Sequence, residues 1–269
     1  MKIFLNKKDL IKYAHNEKNL GFVPTMGAFH KGHISLFKRS ISESSKTVVT
    51  IFVNKPQFNR NSDYKNYPRN LKRDISILKK LKISYLYIPT NKQIYPNGIN
   101  KRIKISPFSK RLCGKNRPGH FEAVADVLDR FIKIIKPKRI YLGEKDMQQL
   151  KIVELFFKKK HKNVRVVGCK TMREKNGLAC SSRNFLLTNK EKYIASKIYK
   201  LLVKEKKNLL LRKISINHIK KKIKALGISR LDYIKLIDVN KIITSLNNIK
   251  KYKIFIAYYL KSTRLIDNI

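Results

Sequence analysis

The 269-residue sequence predicts an α/β protein in which a doubly wound parallel sheet is joined to a second, smaller α+β domain. Three observations carry this prediction. Short apolar runs rich in β-branched residues recur at 20–23, 47–53, 83–88, 139–142 and 164–167. The segments between them have the length and periodicity of helices. Beyond about residue 171 the texture changes to a long lysine-rich stretch followed by strand-like runs. A chain of this length has room for two cores.

Taken in order, the run 20–23 leads into an amphipathic segment at 34–41, the first strand-to-helix passage. Residues 122–135 read as a helix because Val124, Val127, Leu128, Phe131, Ile134 and Ile135 fall near helical spacing, with Pro137 as a stop. That helix feeds the run 139–142. Strands alternating with helices place helices on both faces of a Rossmann-like sheet. The second domain is expected to hold a helical stretch at 189–226, strands at 233–239 and 252–260, and a closing segment at 264–269. The expected boundaries are 1–171 and 172–269. No repeat or Pro-rich linker separates them, so the junction reads as a short hinge that lets the smaller domain close over a nucleotide site.

Composition narrows the function classes. With 42% hydrophobic residues the chain can build cores, and it has no run near the ~18 apolar residues of a membrane span. The N-terminal segment lacks an apolar signal region, so a mature cytoplasmic protein is expected. Cys113, Cys169 and Cys180 form no CxxC pair, and their odd number argues for a reducing compartment. Lys and Arg total 63 against 17 Asp and Glu, a net charge of +46, which raises the question of a nucleic-acid partner. The excess is spread along the chain, as at Lys7, Lys79, Lys158, Lys206 and Lys220. Lysine stems can cover apolar surface while their ammonium groups stay in water. Tyr and Phe sit within apolar runs, and there is no Trp. No specific nucleic acid and no membrane partner are expected; salt-sensitive, submicromolar binding of one RNA or DNA would reverse that reading.

The residues after the first strand carry the chemistry. Pro24, Thr25, Met26, Gly27, Ala28, Phe29, His30, Lys31, Gly32 and His33 lie where a strand becomes a helix. The orphan N–H groups and positive dipole end of that helix suit phosphate, and the two histidines can donate to it. Read alone, His30 and His33 are equally a pair of surface histidines. A zinc site lacks a third ligand at suitable spacing, so no bound metal is predicted from these residues. Gln57 and Gln149 are neutral amides able to donate and accept, which suits the hydroxyls and carboxylate of a small hydroxy acid. Gly143, Glu144, Lys145 and Asp146 follow the run 139–142, at the sheet edge where doubly wound folds bind ligands. The bland alternative there is a charged turn. Ser181, Ser182 and Arg183 after Cys180 can grip a triphosphate or form only a polar turn.

Several blocks in order make the pattern specific. The PTMG and HKGH stretches at 24–27 and 30–33 resemble the HIGH-type signature of the nucleotidyltransferase superfamily, in the form seen in the pantothenate synthetase (pantoate–β-alanine ligase) family. Residues 51–58, 67–74, 117–121, 143–149, 173–184 and 263–269 continue the resemblance, which covers most of 21–185 and the tail. It implies ATP as co-substrate, Mg²⁺ bound mainly through the ATP phosphates, and a homodimer. It also implies two half-reactions. The pantoate carboxylate attacks the α-phosphorus of ATP to give pantoyl adenylate and pyrophosphate, and the amine of β-alanine then displaces AMP. By the same resemblance His33 is the proton donor and His30 binds phosphate. The ATP site comprises residues 26–33, Gly143, Glu144, Lys145, Asp146, Met172, Cys180, Ser181, Ser182 and Arg183. Lys145 neutralises phosphate, and Asp146 holds ribose hydroxyls or helps position Mg²⁺. Gln57 and Gln149 bind pantoate, with Gln57 reaching the β-alanine site, and blocks 51–58 and 67–74 line the pantoate pocket. Departures include Lys31, Phe29, Cys180 and the order Asn54, Lys55, Pro56, Gln57, whose shifted proline bears on the backbone before Gln57. A related enzyme that transfers AMP to a phosphorylated acceptor shares the HKGH seat; dependence of AMP release on β-alanine separates the two.

Overall fold

The computed structural model describes residues 1–241 and 252–269. The chain forms two compact units, one of Met1–Glu144 and Gln148–Lys170, the other of Lys145–Met147 and Thr171–Ile269. The first unit holds β1 (Lys2–Phe4), β2 (Leu20–Thr25), β3 (Lys46–Ile51), β4 (Tyr85–Tyr87), β5 (Arg139–Gly143) and β6 (Arg165–Cys169). All pair in parallel, in the order β1-β4-β3-β2-β5-β6. Its longer helices are α1 (Lys7–Ala14), α2 (Lys31–Glu43), α3 (Leu71–Lys80), α4 (His120–Ile135) and α5 (Met147–Lys160), the last beginning at a residue grouped with the second unit.

Both faces of this sheet are covered, as alternation along β2 requires. Phe22 packs on Phe131 of α4 with ring centroids 5.7 Å apart, while Val23 joins Phe37 of α2 and Leu78 of α3 in the cluster on the opposite face. The strand order reverses at β2, which lies between β3 and β5. Gly21 and Phe22 pair with Arg139 and Ile140, but no pairing with β5 continues beyond them. Pro24, which has no N–H to give a ladder, falls in the part of β2 past those pairs. The β2–β5 ladder therefore ends before the carboxyl ends of the two strands, at the reversal of strand order where doubly wound sheets bind ligands.

Two differences from the sequence expectation concern edges. The strand β1 escapes prediction because its three residues, Lys2, Ile3 and Phe4, are too few to show a period. The run 47–53 stops at Ile51, where Phe52 N–H turns to the Thr25 carbonyl at 3.0 Å.

The second unit contains α6 (Asn189–Leu210), α7 (Ile216–Ala225) and an antiparallel sheet of β7 (Arg230–Asp238), β8 (Tyr252–Leu260) and β9 (Thr263–Asn268). Thr188 and Glu191 form a capping box that starts α6. The single helical stretch expected at 189–226 is two helices. Arg212 adopts a left-handed φ of 57°, and the Ser215 hydroxyl caps α7 by accepting the His218 N–H. Ile198, Leu202, Ile219, Ile234, Ile254 and Ile256 lie in its core. No helix of the described residues is long and apolar enough to cross a membrane.

Candidate active site

In the first unit, the loop after β2 is fixed by buried polar contacts. The Thr25 hydroxyl donates to the Thr50 carbonyl at 2.6 Å and accepts from Gly27 N–H at 3.2 Å. Gly27 and Ala28 follow in the left-handed region, with φ of 82° and 53°. Space is also tight at Gly27, where a Cβ would lie 3.0 Å from Asp74 Oδ2. Asp74, a buried residue of α3, accepts from Ala28 N–H at 2.7 Å and Phe29 N–H at 2.9 Å. Burial pushes the Asp74 carboxyl pKa up, and the two amides and Arg73 offset only part of that push.

The histidine pair stands at the start of α2. His30 is the N-cap, its Nδ1 accepting the Gly32 N–H at 3.1 Å, so the proton of the neutral ring resides on Nε2, a donor. The rings of His30 and His33 are 4.1 Å apart, and Phe29 contacts His33 edge to face at 5.4 Å. The helix start thus retains its anion-favouring character, but the Gly32 amide is satisfied by His30. Ala28 and Phe29, expected at the ATP site, are buried with their amides turned to Asp74, so they shape the loop. Met26, Gly32, His30 and His33 are half-buried and Lys31 is exposed.

Gln57 ends a 3-10 turn, Lys55–Gln57, in which Pro56 occupies the first turn, where its missing N–H costs nothing. That turn accommodates the shifted proline. Gln57 Oε1 accepts from Asn54 Nδ2 at 3.1 Å, and Nε2 donates to Met26 Sδ at 3.2 Å. Its backbone carbonyl accepts from Arg117 Nη2 at 3.0 Å and His120 Nδ1 at 2.8 Å. Gln149 is a half-buried residue of α5, whereas its neighbour Gln148 is buried and ties the 108–113 segment through Cys113 N–H and the carbonyls of Phe108 and Arg111. Gly143 ends β5, and a Cβ built on it would meet nothing within 4 Å, so packing does not require glycine there. Glu144 beside it is half-buried.

The second unit carries the remaining residues. Lys145 Nζ lies 3.5 Å from Asp146 Oδ1, and its carbonyl accepts from Asn268 Nδ2 at 2.8 Å. Met172 is exposed, and its carbonyl accepts the N–H of the buried Cys180 at 2.9 Å. Ser181 Oγ accepts the Arg183 N–H at 3.3 Å and starts the 3-10 helix Ser182–Leu186, with Ser182 itself buried. Arg173 makes a two-pronged ion pair with Asp267, at 2.6 and 2.9 Å, and stacks over Tyr199. The block at 173–184 is therefore a braced frame around the Ser181 to Arg183 turn.

The family model for pantoate-beta-alanine ligase matches residues 2–269. The chain belongs to this family. A pantothenate synthetase of Thermosipho africanus is 38% identical over 265 residues, 97% of this chain and 95% of its own. A solved structure of the pantoate-beta-alanine ligase of Francisella tularensis, complexed with beta-gamma ATP and beta-alanine, is 38% identical with a TM-score of 0.86, covering 100% of this chain and 97% of its own. A pantothenate synthetase structure from Thermus thermophilus gives a TM-score of 0.90 at 32% identity, covering 100% of this chain and 99% of its own.

Several supports of this ligase fold carry no signal of their role in the sequence. Asn54, Arg117 and His120 hold Gln57, and Asp74 holds the loop before His30. Each lies in a block that drew attention for its resemblance. All the sequence shows is a polar residue type inside those blocks, which becomes informative only once the partners are known.

Proposed function

We infer that the chain catalyses the ATP-dependent condensation of pantoate with β-alanine, giving pantothenate, AMP and pyrophosphate through a pantoyl adenylate. The observation that carries the reading is the contact of Gln57 Nε2 with Met26 Sδ at 3.2 Å. It joins an amide suited to a hydroxy acid to the loop that runs into His30 and His33. Family membership supplies the reaction class.

In this proposal Gln57 and Gln149 orient pantoate so that its carboxylate meets the α-phosphorus. Preorganisation of this kind is a major source of rate. His30 and His33 donate to phosphate oxygens as negative charge moves onto pyrophosphate, with His33 supplying the proton. Lys145 and Arg183 add fixed positive charge, Ser181 and Ser182 add hydroxyls, and the smaller domain closes to shelter the mixed anhydride from water. Magnesium fits as a companion of the triphosphate. Among the described residues no group of three or more His, Cys, Asp or Glu side chains is arranged to hold a metal, and Mg²⁺ needs only one or two carboxylates beside phosphates. Asp146, with its half-exposed carboxylate, is the side chain for that task or for the ribose hydroxyls. Bound magnesium would neutralise charge on the phosphates. A homodimer in the cytoplasm completes the proposal; sedimentation velocity tests the dimer.

The deciding experiment omits one substrate at a time. Protein with ATP, Mg²⁺ and pantoate should release pyrophosphate in an amount close to the protein present and then stall. Adding β-alanine should restart release and yield AMP and pantothenate. Pyrophosphate released equally fast without pantoate, or indifference to β-alanine, would refute the reading.

A further inference from the structure

The Gln57 amide has two unlike ends, one accepting and one donating, and its neighbours decide which end a ligand meets. The Ala123 carbonyl can only accept, so Asn54 turns Nδ2 toward it at 3.4 Å. The same nitrogen faces Gln57 at 3.1 Å, where Oε1 must accept. Asn54 Oδ1 is then left toward the Tyr95 hydroxyl, which donates to it at 2.7 Å, the shortest bond of the three. Asn54 is only 1% exposed, so water cannot substitute for a lost partner.

Tyr95 is well placed to hold this end of the chain of bonds. Its ring is backed by the Arg130 guanidinium at 4.6 Å and by Phe52 at 6.4 Å. Arg130 is itself fixed by Asp126 and by the Ile94 and Gly98 carbonyls. Burial, with the Asp126 carboxylate nearby, pushes the phenol pKa above its usual range, so the hydroxyl keeps its proton and remains a donor.

We propose that Tyr95 is a positioning residue whose hydroxyl fixes the direction of the Asn54 and Gln57 amides, so that Gln57 offers its NH₂ end to the hydroxy-acid substrate. The hydroxyl touches no substrate. Without it, the buried Asn54 Oδ1 loses its donor, and the direction of the two amides rests on the longer bond to Ala123 and on the Met26 Sδ contact alone. A thioether is a weak acceptor, so Gln57 is less firmly held to one end. The role rests on the function proposed above, in which Gln57 binds pantoate.

The test is a cycle of Tyr95→Phe, Gln57→Ala and the double variant, with pyrophosphate release measured while pantoate and ATP are varied separately. Tyr95→Phe is expected to raise KM for pantoate about 10-fold, the scale of one buried hydrogen bond, and to leave KM for ATP within about 2-fold. In the Gln57→Ala background the same substitution should change neither constant, since there is no amide left to direct. A general loosening of the fold would move both constants together. Equal changes in both, or an equal Tyr95→Phe effect with and without Gln57, would overturn the role. Absence of pantoate-dependent release in the unaltered protein would overturn the functional reading, and this role with it.

Discussion

Replacing Asp74 by Asn tests whether a buried carboxylate holds the loop that leads to the histidine pair. Asp74 collects two adjacent amides, Ala28 on Oδ2 and Phe29 on Oδ1, while it is 1% exposed. Asn is nearly the same shape but has one acceptor. Whichever way it turns, its NH₂ group faces a buried N–H. One bond is lost, about 1 kcal/mol net, and one buried donor is stranded, about 1–3 kcal/mol. Relief from burying a charge offsets part of this, because burial already pushes the Asp74 pKa up. A net loss of about 2–3 kcal/mol is expected from urea unfolding at pH 7. The loop should suffer more than the fold, since Ala28 is held in a left-handed conformation that costs an L-residue about 1–2 kcal/mol. Once released, it shifts the entry to His30, and kcat/KM for ATP should fall at least about 10-fold at substrate levels that saturate the other sites. Unfolding within about 0.5 kcal/mol of the unaltered protein, together with normal ATP kinetics, would refute the reasoning.

Further outcomes follow from the same geometry. His33→Ala and Lys145→Ala should each slow pantoate-dependent pyrophosphate release by at least about 100-fold while leaving the fold intact; near-normal bursts in a quenched-flow assay would remove the corresponding assignment. Asp129 is buried, which alone would raise its pKa, but hydrogen bonds from Lys133, Lys160 and His161 overcome this and hold it below its usual value. Its stabilising contribution is therefore present above its unfolded value of 3.8 and lost as pH falls through the lower folded value, so Asp129→Asn should flatten the acid limb of stability measured by urea unfolding between pH 2 and 5. Cys180 is buried, and if the thiol serves packing, as we propose, Cys180→Ala should keep kcat within about 3-fold. Loss of activity in that variant would point instead to a chemical role for the thiol.

The parts of the fold legible in the sequence are those with a long period. Tyr252–Leu260 could be bounded from its apolar run, and the start of β5 at Arg139 from the Pro137 stop before it. Lys2–Phe4 was silent because a three-residue edge strand takes its stability from β4, far along the chain. The break between α6 and α7 was hidden because Arg212 takes its positive φ without the usual Gly or Asn. At the site, the residue types that meet substrate could be named from chemistry and resemblance. Their supports could not. Asp74 and Ala28 are 46 positions apart, and Arg117 reaches Gln57 across 60. No local pattern signals such a pairing.

The central position of β2 also governs when this site can form. Its partners are β3, reached through α2, and β5, whose Arg139 and Ile140 arrive only after α3 and α4. Each parallel pairing therefore closes a long loop before it gains any contact, which makes for slow folding. Until β5 is in place, one edge of β2 lies open, with Leu20, Phe22 and Val23 beside an unpaired backbone. A chain caught at that stage would offer an unpaired strand edge to its own kind. Conditions that slow collisions between chains, such as low concentration or a chaperone, should raise refolding yield, and stabilising the finished protein would do little for it.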